Sequence, residues 1–148
     1  MPGREIDPEA LTRERVRDMT DAEVKAVMES IREQGPEHIV RLTKTKGGRE
    51  LLSRSSAILD REIAEEDAAV MRPVDEAIEA LDPDALTAAL DRLFLHVRVL
   101  DEMAATYGAM SSGERMSREY AARARRVAKH GRKASRRMRK AARREHRG

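Results

Sequence analysis

The chain has 148 residues, which is long enough for one domain and too short for two of average size. It contains no Cys and no Trp, so disulfide scaffolds, cysteine zinc sites and thiol nucleophiles are excluded. The net charge of +3 conceals a division, because residues 1–114 contain 15 Lys and Arg against 25 Asp and Glu, whereas residues 115–148 contain 15 against 2. The two parts therefore carry net charges of −10 and +13, an asymmetry that indicates a class of partner more than an activity.

The apolar runs of the sequence favour a cytoplasmic protein without a membrane partner. The first residues, Met1–Glu5, lack the apolar segment of a secretory signal peptide. Apolar runs such as Leu93–Leu95 are far shorter than the ~20 residues needed to span a bilayer. We therefore expect a soluble protein of a reducing compartment.

Helix signals dominate the chain and strand alternation is lacking, so the predicted fold class is all-α with about five helices. Asp7 followed by Pro8 is typical of an N-cap with proline in the first turn, and predicts a first helix over residues 8–18. Thr20 and Glu23 have the spacing of a capping box and predict a second helix over residues 21–34.

The next segment is predicted to be a short helix followed by a flexible loop. Gly35 is a natural helix stop, and residues 37–42 have the pattern of a short helix. Residues 43–49 combine Lys, Thr and two adjacent glycines, which favours a loop.

A third helix is predicted from about Arg49 to Leu81. Apolar residues recur along it at spacings of three, four and seven, which keeps them on one face. They are Leu52, Leu59, Ile63, Val70, Val74, Ala77 and Leu81. Pro73 interrupts this stripe and predicts either a kink or a break, since proline lacks the backbone N–H.

A fourth helix is predicted from Pro83 to about Tyr107, with Asp82 as its N-cap. Its core face consists of Leu86, Ala89, Leu90, Leu93, Val97, Leu100, Ala104 and Tyr107. Leu95 and Val99 lie roughly opposite this face, so the helix is apolar on two sides. Such a helix is either central in a bundle or faces a partner, which makes a homo-oligomer a reasonable expectation.

A final helix is predicted from a capping box at Ser111 and Glu114 toward residue 145. Its apolar stripe is narrow: Met116, Tyr120, Val127, Ala134 and Met138. From about Lys129 onward the stripe is too poor to fold against a core, so we expect that part to fray when free and to order on binding. The predicted organisation is thus an acidic helical bundle over 1–110 and a basic helical extension over 111–148.

The basic extension is the strongest functional signal in the sequence. Like charges at i and i+4 repel each other, and a polyanion would relieve that repulsion while releasing counterions. The predicted contact residues are Arg123, Arg125, Arg126, Lys129, Arg132, Lys133, Arg136, Arg137, Arg139, Lys140, Arg143 and Arg144. Because aromatic residues are scarce and helix-turn-helix spacing is lacking, we expect contacts to the phosphate backbone of DNA or RNA rather than sequence-specific readout. The leading hypothesis is a non-enzymatic nucleic-acid-binding or ribonucleoprotein-associated accessory protein.

Three other interpretations remain open for the extension. It is alternatively a disordered solubilising tail, a membrane-surface segment, or a helix that docks on an acidic protein surface, including that of a second copy. The membrane interpretation is the weakest, because the stripe lacks Trp, Phe and Leu. The main alternative is an assembly or scaffolding-type protein, including one of viral origin. The charge layout is similar in outline to that of bacteriophage scaffolding proteins, by analogy of arrangement alone.

Other candidate sites are weaker. Lys44, Lys46 and Arg49 flank two glycines and form a possible secondary anion loop, although an interhelical hinge is the preferred interpretation. Four carboxylates at Glu62, Glu65, Glu66 and Asp67 are better explained as a solvated helix face than as a cation site. We predict no metal, no cofactor and no enzymatic activity, because the four histidines lack metal-ligand spacing and no nucleophile arrangement is present.

Overall fold

A computed structural model describes residues 6–147, and these residues are all-helical. After a 3-10 turn at Pro8–Ala10, the helices are α1 (Arg13–Asp18), α2 (Asp21–Gln34), α3 (Pro36–Leu42), α4 (Lys46–Glu79), α5 (Pro83–Gly108), α6 (Glu114–Arg132) and α7 (Ala134–Arg147). Only Lys133 separates α6 from α7, so the described residues form six helices when these two are counted as one. The all-α prediction is therefore confirmed, with one helix more than the expected five.

The chain divides into two compact units, Met1–Ile63 and Ala64–Gly148, and the boundary lies within α4. The charge pattern predicted a division at 110/111 instead. The physical reason for the difference is that α6 packs against α5, so the beginning of the basic segment belongs to the second core.

The first unit has a core built from the 3-10 segment through the first half of α4. Its buried residues are Leu11, Val16, Val24, Met28, Ile31, Leu42, Leu51 and Ile58. The predicted capping box is confirmed, since the Glu23 N–H donates to Thr20 Oγ1 at 3.2 Å and the Thr20 N–H donates to Glu23 Oε1 at 3.4 Å. The α2 bounds are therefore those that the sequence predicted.

The predicted first helix is split in the structure. Asp7 caps the 3-10 turn as expected, but Leu11 and Thr12 are extended, and Thr12 is the N-cap of α1. Leu11 is 6% exposed and lies in the core of the first unit, and the extended backbone that interrupts the helix at this residue accompanies its burial. Arg54 then satisfies the end of α1 by donating to the carbonyls of Val16 and Met19 at 2.7 and 2.6 Å.

Helix α4 begins three residues earlier than predicted and continues through Pro73. The carbonyl that proline leaves without a donor belongs to Ala69, an exposed residue. The predicted stripe is offset in the first unit, where Leu51 and Ile58 are buried while Leu59 is 50% exposed. In the second unit, Val74 and Ala77 are buried as predicted.

The second unit has a core formed by the end of α4 together with α5, α6 and the start of α7. Its buried residues are Val74, Ala77, Ile78, Leu86, Ala89, Leu93, Leu100, Ala124, Val127 and Ala134. Asp82 accepts from the Ala85 N–H at 3.1 Å, which confirms the predicted N-cap of α5. Leu95 and Val99 are 60% and 48% exposed, so the second apolar side of α5 is real, and self-association through it stays a prediction.

The start of α6 differs from the predicted capping box at Ser111 and Glu114. Gly113 is the N-cap and makes no side-chain capping bond. A Cβ at Gly113 would lie 2.0 Å from the Tyr107 carbonyl oxygen, so this position requires glycine for close backbone contact with the end of α5.

The boundary between the acidic and the basic parts of the sequence does not coincide with the boundary between the two units. The first unit contains 12 Lys and Arg against 13 Asp and Glu, which is close to neutral. In the second unit, residues 64–114 contain 3 against 12, whereas residues 115–148 contain 15 against 2. The strongly acidic and strongly basic segments thus belong to the same unit.

Candidate nucleic-acid interface

Helix α6 is basic on one side and buried on the other. Successive residues of an α-helix are about 100° apart, so Arg125, Arg126, Lys129 and Arg132 lie within an arc of about 120°. All four are exposed. The buried residues of α6 lie on the opposite side: Arg123, Ala124, Val127, Ala128 and Gly131. Apart from Arg123, the side chains of this buried side are short, which allows α6 to pack closely on α5. The predicted stripe included Val127 but not Ala124, Ala128 or Gly131.

Helix α7 repeats the arrangement. Apart from Arg137 and His146, its exposed basic residues fall within an arc of about 140°: Arg136, Arg139, Lys140, Arg143, Arg144 and Arg147. Ala134 is buried on the opposite side, and Met138 and Ala141 are partly buried against the core of the second unit. Three apolar residues on one side thus pack a helix that continues to Arg147, and fraying of this segment in the free chain stays a prediction.

Ten of the twelve predicted contact residues form one surface, which we call the basic face. Its members are Arg125, Arg126, Lys129, Arg132, Lys133, Arg136, Arg139, Lys140, Arg143 and Arg144. Among the residues that the structure describes, no carboxylate oxygen lies within 4.0 Å of their charged nitrogens. At 1.5 Å per residue the face extends about 28 Å along the helices. The basic face is thus a continuous, exposed positive surface without internal neutralisation.

Arg123 was predicted to be a contact residue, but it does not belong to the basic face because it is buried. It is 6% exposed and makes two hydrogen bonds to Asp67, from Nε to Oδ2 at 3.1 Å and from Nη2 to Oδ1 at 2.8 Å. Its guanidinium also lies 5.5 Å from the centroid of the Tyr120 ring. Arg123 therefore fixes α6 to α4 within the second unit and is not available to a nucleic acid.

Asp67 accepts a third hydrogen bond, from His96 Nε2 at 2.9 Å. Burial opposes ionisation of this carboxyl, but the hydrogen bonds and charges of Arg123 and His96 outweigh it and hold the pKa of Asp67 below its ordinary value. The same interaction with Asp67 raises the pKa of Arg123. The prediction that these four carboxylates of α4 form a solvated face is therefore wrong for Asp67, which is buried and holds Arg123 of α6.

Arg137 is also paired within the chain, although its side chain is 42% exposed. Its Nη1 donates to Asp75 Oδ1 at 2.6 Å, and His130 Nε2 lies 2.8 Å from the same oxygen. Burial opposes ionisation of Asp75, but Arg137 and His130 together lower its pKa. Asp75 is thus a second carboxylate of α4 that holds the basic segment.

The buried pair of Asp67 and Arg123 has a signal in the sequence, whereas Asp75 does not lie at a position of the α4 stripe. Ile63 and Val70 are seven residues apart, and Asp67 occupies the intermediate position where a core residue would belong. Arg123 occupies the corresponding position between Tyr120 and Val127. Opposite charges at core positions of two helices are the pattern from which this pair is predictable.

The possible secondary anion loop has a different local structure from the one expected. Residues 43–45 form a turn, and Gly47 and Gly48 are buried in the first turn of α4. A Cβ on Gly48 would lie 2.1 Å from the Leu42 carbonyl oxygen, and the Gly48 N–H already donates to Thr45 Oγ1 at 3.0 Å. The glycines therefore serve backbone packing rather than a phosphate cradle, and anion binding by the exposed Lys44, Lys46 and Arg49 stays a prediction.

Within residues 6–147, the structure shows neither a cluster of three His, Asp or Glu side chains suited to a metal ion nor a helix long and apolar enough to cross a membrane. Comparisons with protein-family models, curated proteins and solved structures found no match to this chain. The interpretation of the basic face therefore depends on its own geometry and charge.

Proposed function

We propose that this chain binds nucleic acid through the basic face, in a non-enzymatic accessory or ribonucleoprotein-associated role in the cytoplasm. The observation that carries the proposal is the exposure of ten basic side chains on one side of α6 and α7, without carboxylate partners among the described residues. The opposite side of both helices is used for folding. A surface of this kind is suited to phosphate contacts because each neutralised phosphate releases counterions.

Several basic residues of the second unit outside the basic face are paired within the chain, whereas in the part of the chain that the structure describes none of the ten residues of the face is. Arg115 and Arg118 pair with Glu119 and Glu114, and Arg137 pairs with Asp75. Within the face, pairs such as Arg132 with Arg136 and Lys140 with Arg144 are i and i+4 neighbours of like charge, each of which costs a few tenths of a kcal/mol. Phosphates placed along the face would remove this repulsion.

Substitution is a better test than deletion, because α6 contributes Ala124 and Val127 to the core. The test variant changes Arg136, Arg139, Arg143 and Arg144 to Gln, a residue of similar helix propensity. The control variant makes the same change at four exposed arginines elsewhere: Arg15, Arg32, Arg92 and Arg98. Both variants lose the same charge, so a difference between them reports the position of the arginines.

The measurement is fluorescence anisotropy of a labelled DNA or RNA duplex at several salt concentrations. Wild-type affinity is expected to fall steeply with salt, and the test variant is expected to reduce the slope of log K against log salt by about 3.6, or 0.9 for each lost phosphate contact. The control variant should retain the wild-type slope.

Two outcomes would contradict the proposal. The first is no duplex binding by the wild-type chain at low salt. The second is an equal loss in the test and control variants, which would indicate an effect of net charge alone. A polyglutamate competitor that displaces the duplex at equal charge concentration would instead favour the alternative, a scaffolding-type protein that docks on an acidic protein surface.

A further inference from the structure

A groove between α5 and α6 lies beside the basic face. Its walls are Phe94 and Val97 from α5 and Ala124 and Ala128 from α6, and its remaining lining residues are Asp101, Arg125 and Arg132. Phe94 is the only Phe of the chain, and it is 41% exposed. Phe94 is thus a partly exposed aromatic side chain in a groove that two arginines also line.

Gly131 sets the position of the Phe94 ring. A Cβ on Gly131 would lie 2.8 Å from Phe94 Cζ and 3.2 Å from Cε2, so the ring edge lies against the backbone of α6. Any side chain at Gly131 would displace the ring from this place. The ring is therefore held at one edge and remains partly open to the groove.

The groove is lined by two positive side chains and one negative side chain. Arg125 and Arg132 are members of the basic face and lie at its α5 side. Asp101 also lines the groove, where its negative charge disfavours a phosphate and its carboxylate oxygens are acceptors of the kind that pair with the amino groups of bases. The arrangement favours a phosphate at the two arginines and an uncharged planar ring at Phe94 and Ala128.

We propose that this groove binds one unstacked base of a single-stranded nucleic acid, with the base against Phe94 and the adjoining phosphates on Arg125 and Arg132. The groove holds about 280 Å³, which is below the ~300–1,000 Å³ of sites for drug-sized ligands and is suited to a single ring system. Bases of a duplex are paired and stacked, so only a single strand offers a free base face. This inference rests on the proposed function and adds a substrate class to it.

The chain contains no Trp, so Phe94→Trp introduces a single fluorophore into the groove. The matched control is Leu95→Trp, because Leu95 is the adjacent residue, is 60% exposed and does not line the groove. Titration with a single-stranded oligonucleotide is expected to quench the emission of Phe94→Trp strongly and that of Leu95→Trp weakly. Titration with the duplex should quench neither strongly.

Binding measurements on Phe94→Ala and Phe94→Leu complete the test. Loss of one stacking contact is expected to weaken single-strand binding about 5- to 150-fold, while duplex binding remains within about twofold. Phe94→Leu retains apolar volume and should show the same selective loss. Circular dichroism establishes that each variant is folded.

The inference is overturned if the single strand leaves the emission of Phe94→Trp unchanged, or if the Phe94 variants lose single-strand and duplex binding equally. In either case duplex binding that still depends on the arginines of α7 leaves the proposed function in place. If the wild-type chain binds neither nucleic acid at low salt, both proposals are wrong.

Discussion

The buried pair of Asp67 and Arg123 gives the sharpest prediction about stability. Each residue is 6% exposed, and two hydrogen bonds of 2.8 and 3.1 Å join them. The substitution Arg123→Met retains apolar length but removes the guanidinium, so that Asp67 keeps only His96 as a partner. Removing one member of a buried ion pair costs about 3–5 kcal/mol, because the remaining charge is uncompensated.

The measurement is urea unfolding followed by circular dichroism. With an m-value of about 2 kcal/mol/M, a loss of 3–5 kcal/mol lowers the unfolding midpoint of the second unit by about 1.5–2.5 M. The double variant Asp67→Leu with Arg123→Met replaces the whole pair by apolar side chains. It is expected to recover most of the loss, since apolar substitutes of similar volume often equal a buried ion pair.

A loss of less than about 1 kcal/mol in Arg123→Met would refute this reasoning, because that is the value of an exposed ion pair. A double variant that is less stable than either single variant would also refute it. In that case the geometry of the two hydrogen bonds, rather than compensation of charge, would be what the fold requires.

Three further predictions concern other positions. The pKa of Asp75 is lowered in the folded state, so its contribution to stability is present above the unfolded pKa and is lost as the pH falls below about 4. Asp75→Asn should therefore make the melting temperature less dependent on pH between about 5 and 3. Gly48→Ala places a Cβ 2.1 Å from the Leu42 carbonyl oxygen and should reduce the free energy of unfolding of the first unit by about 3 kcal/mol or more, at or above the ordinary 1–3 kcal/mol of overpacking, which a lower melting temperature would show. Gly108→Ala, with its nearest atom at 3.2 Å, should be tolerated. Thr20→Ala removes the capping bond to the Glu23 N–H and should cost about 1 kcal/mol in denaturant unfolding, and an unchanged midpoint would contradict the assigned capping box.

The helix boundaries that were predicted correctly have local causes. Thr20 with Glu23 begins α2, and Asp82 with Pro83 begins α5, because a capping side chain bonds to backbone N–H groups two or three residues away. The prediction was wrong at Ser111, because Gly113 is the N-cap of α6. Gly113 is required there by the approach of the Tyr107 carbonyl, a contact between two helices that no local pattern contains.

The candidate site was predictable in its composition and less so in its membership. Ten of twelve basic residues remain on one exposed surface, since residues spaced around a helix with one apolar side necessarily collect on the other. Arg123 is buried against Asp67 of α4, and Arg137, although exposed, is paired with Asp75 of the same helix. Their partners are 56 and 62 residues distant in the sequence, beyond any helical period.

Composition and periodicity thus determined that this chain is helical, where several helices begin, and that its last 34 residues carry a net charge of +13. Packing alone assigned that charge to the same unit as the most acidic segment, neutralised part of it through Asp67 and Asp75, and placed Phe94 beside Arg125 and Arg132. The physical reason is range. Caps and stripes act within one or two helical turns, whereas ion pairing, burial and the close approach allowed by Gly131 depend on which helices meet.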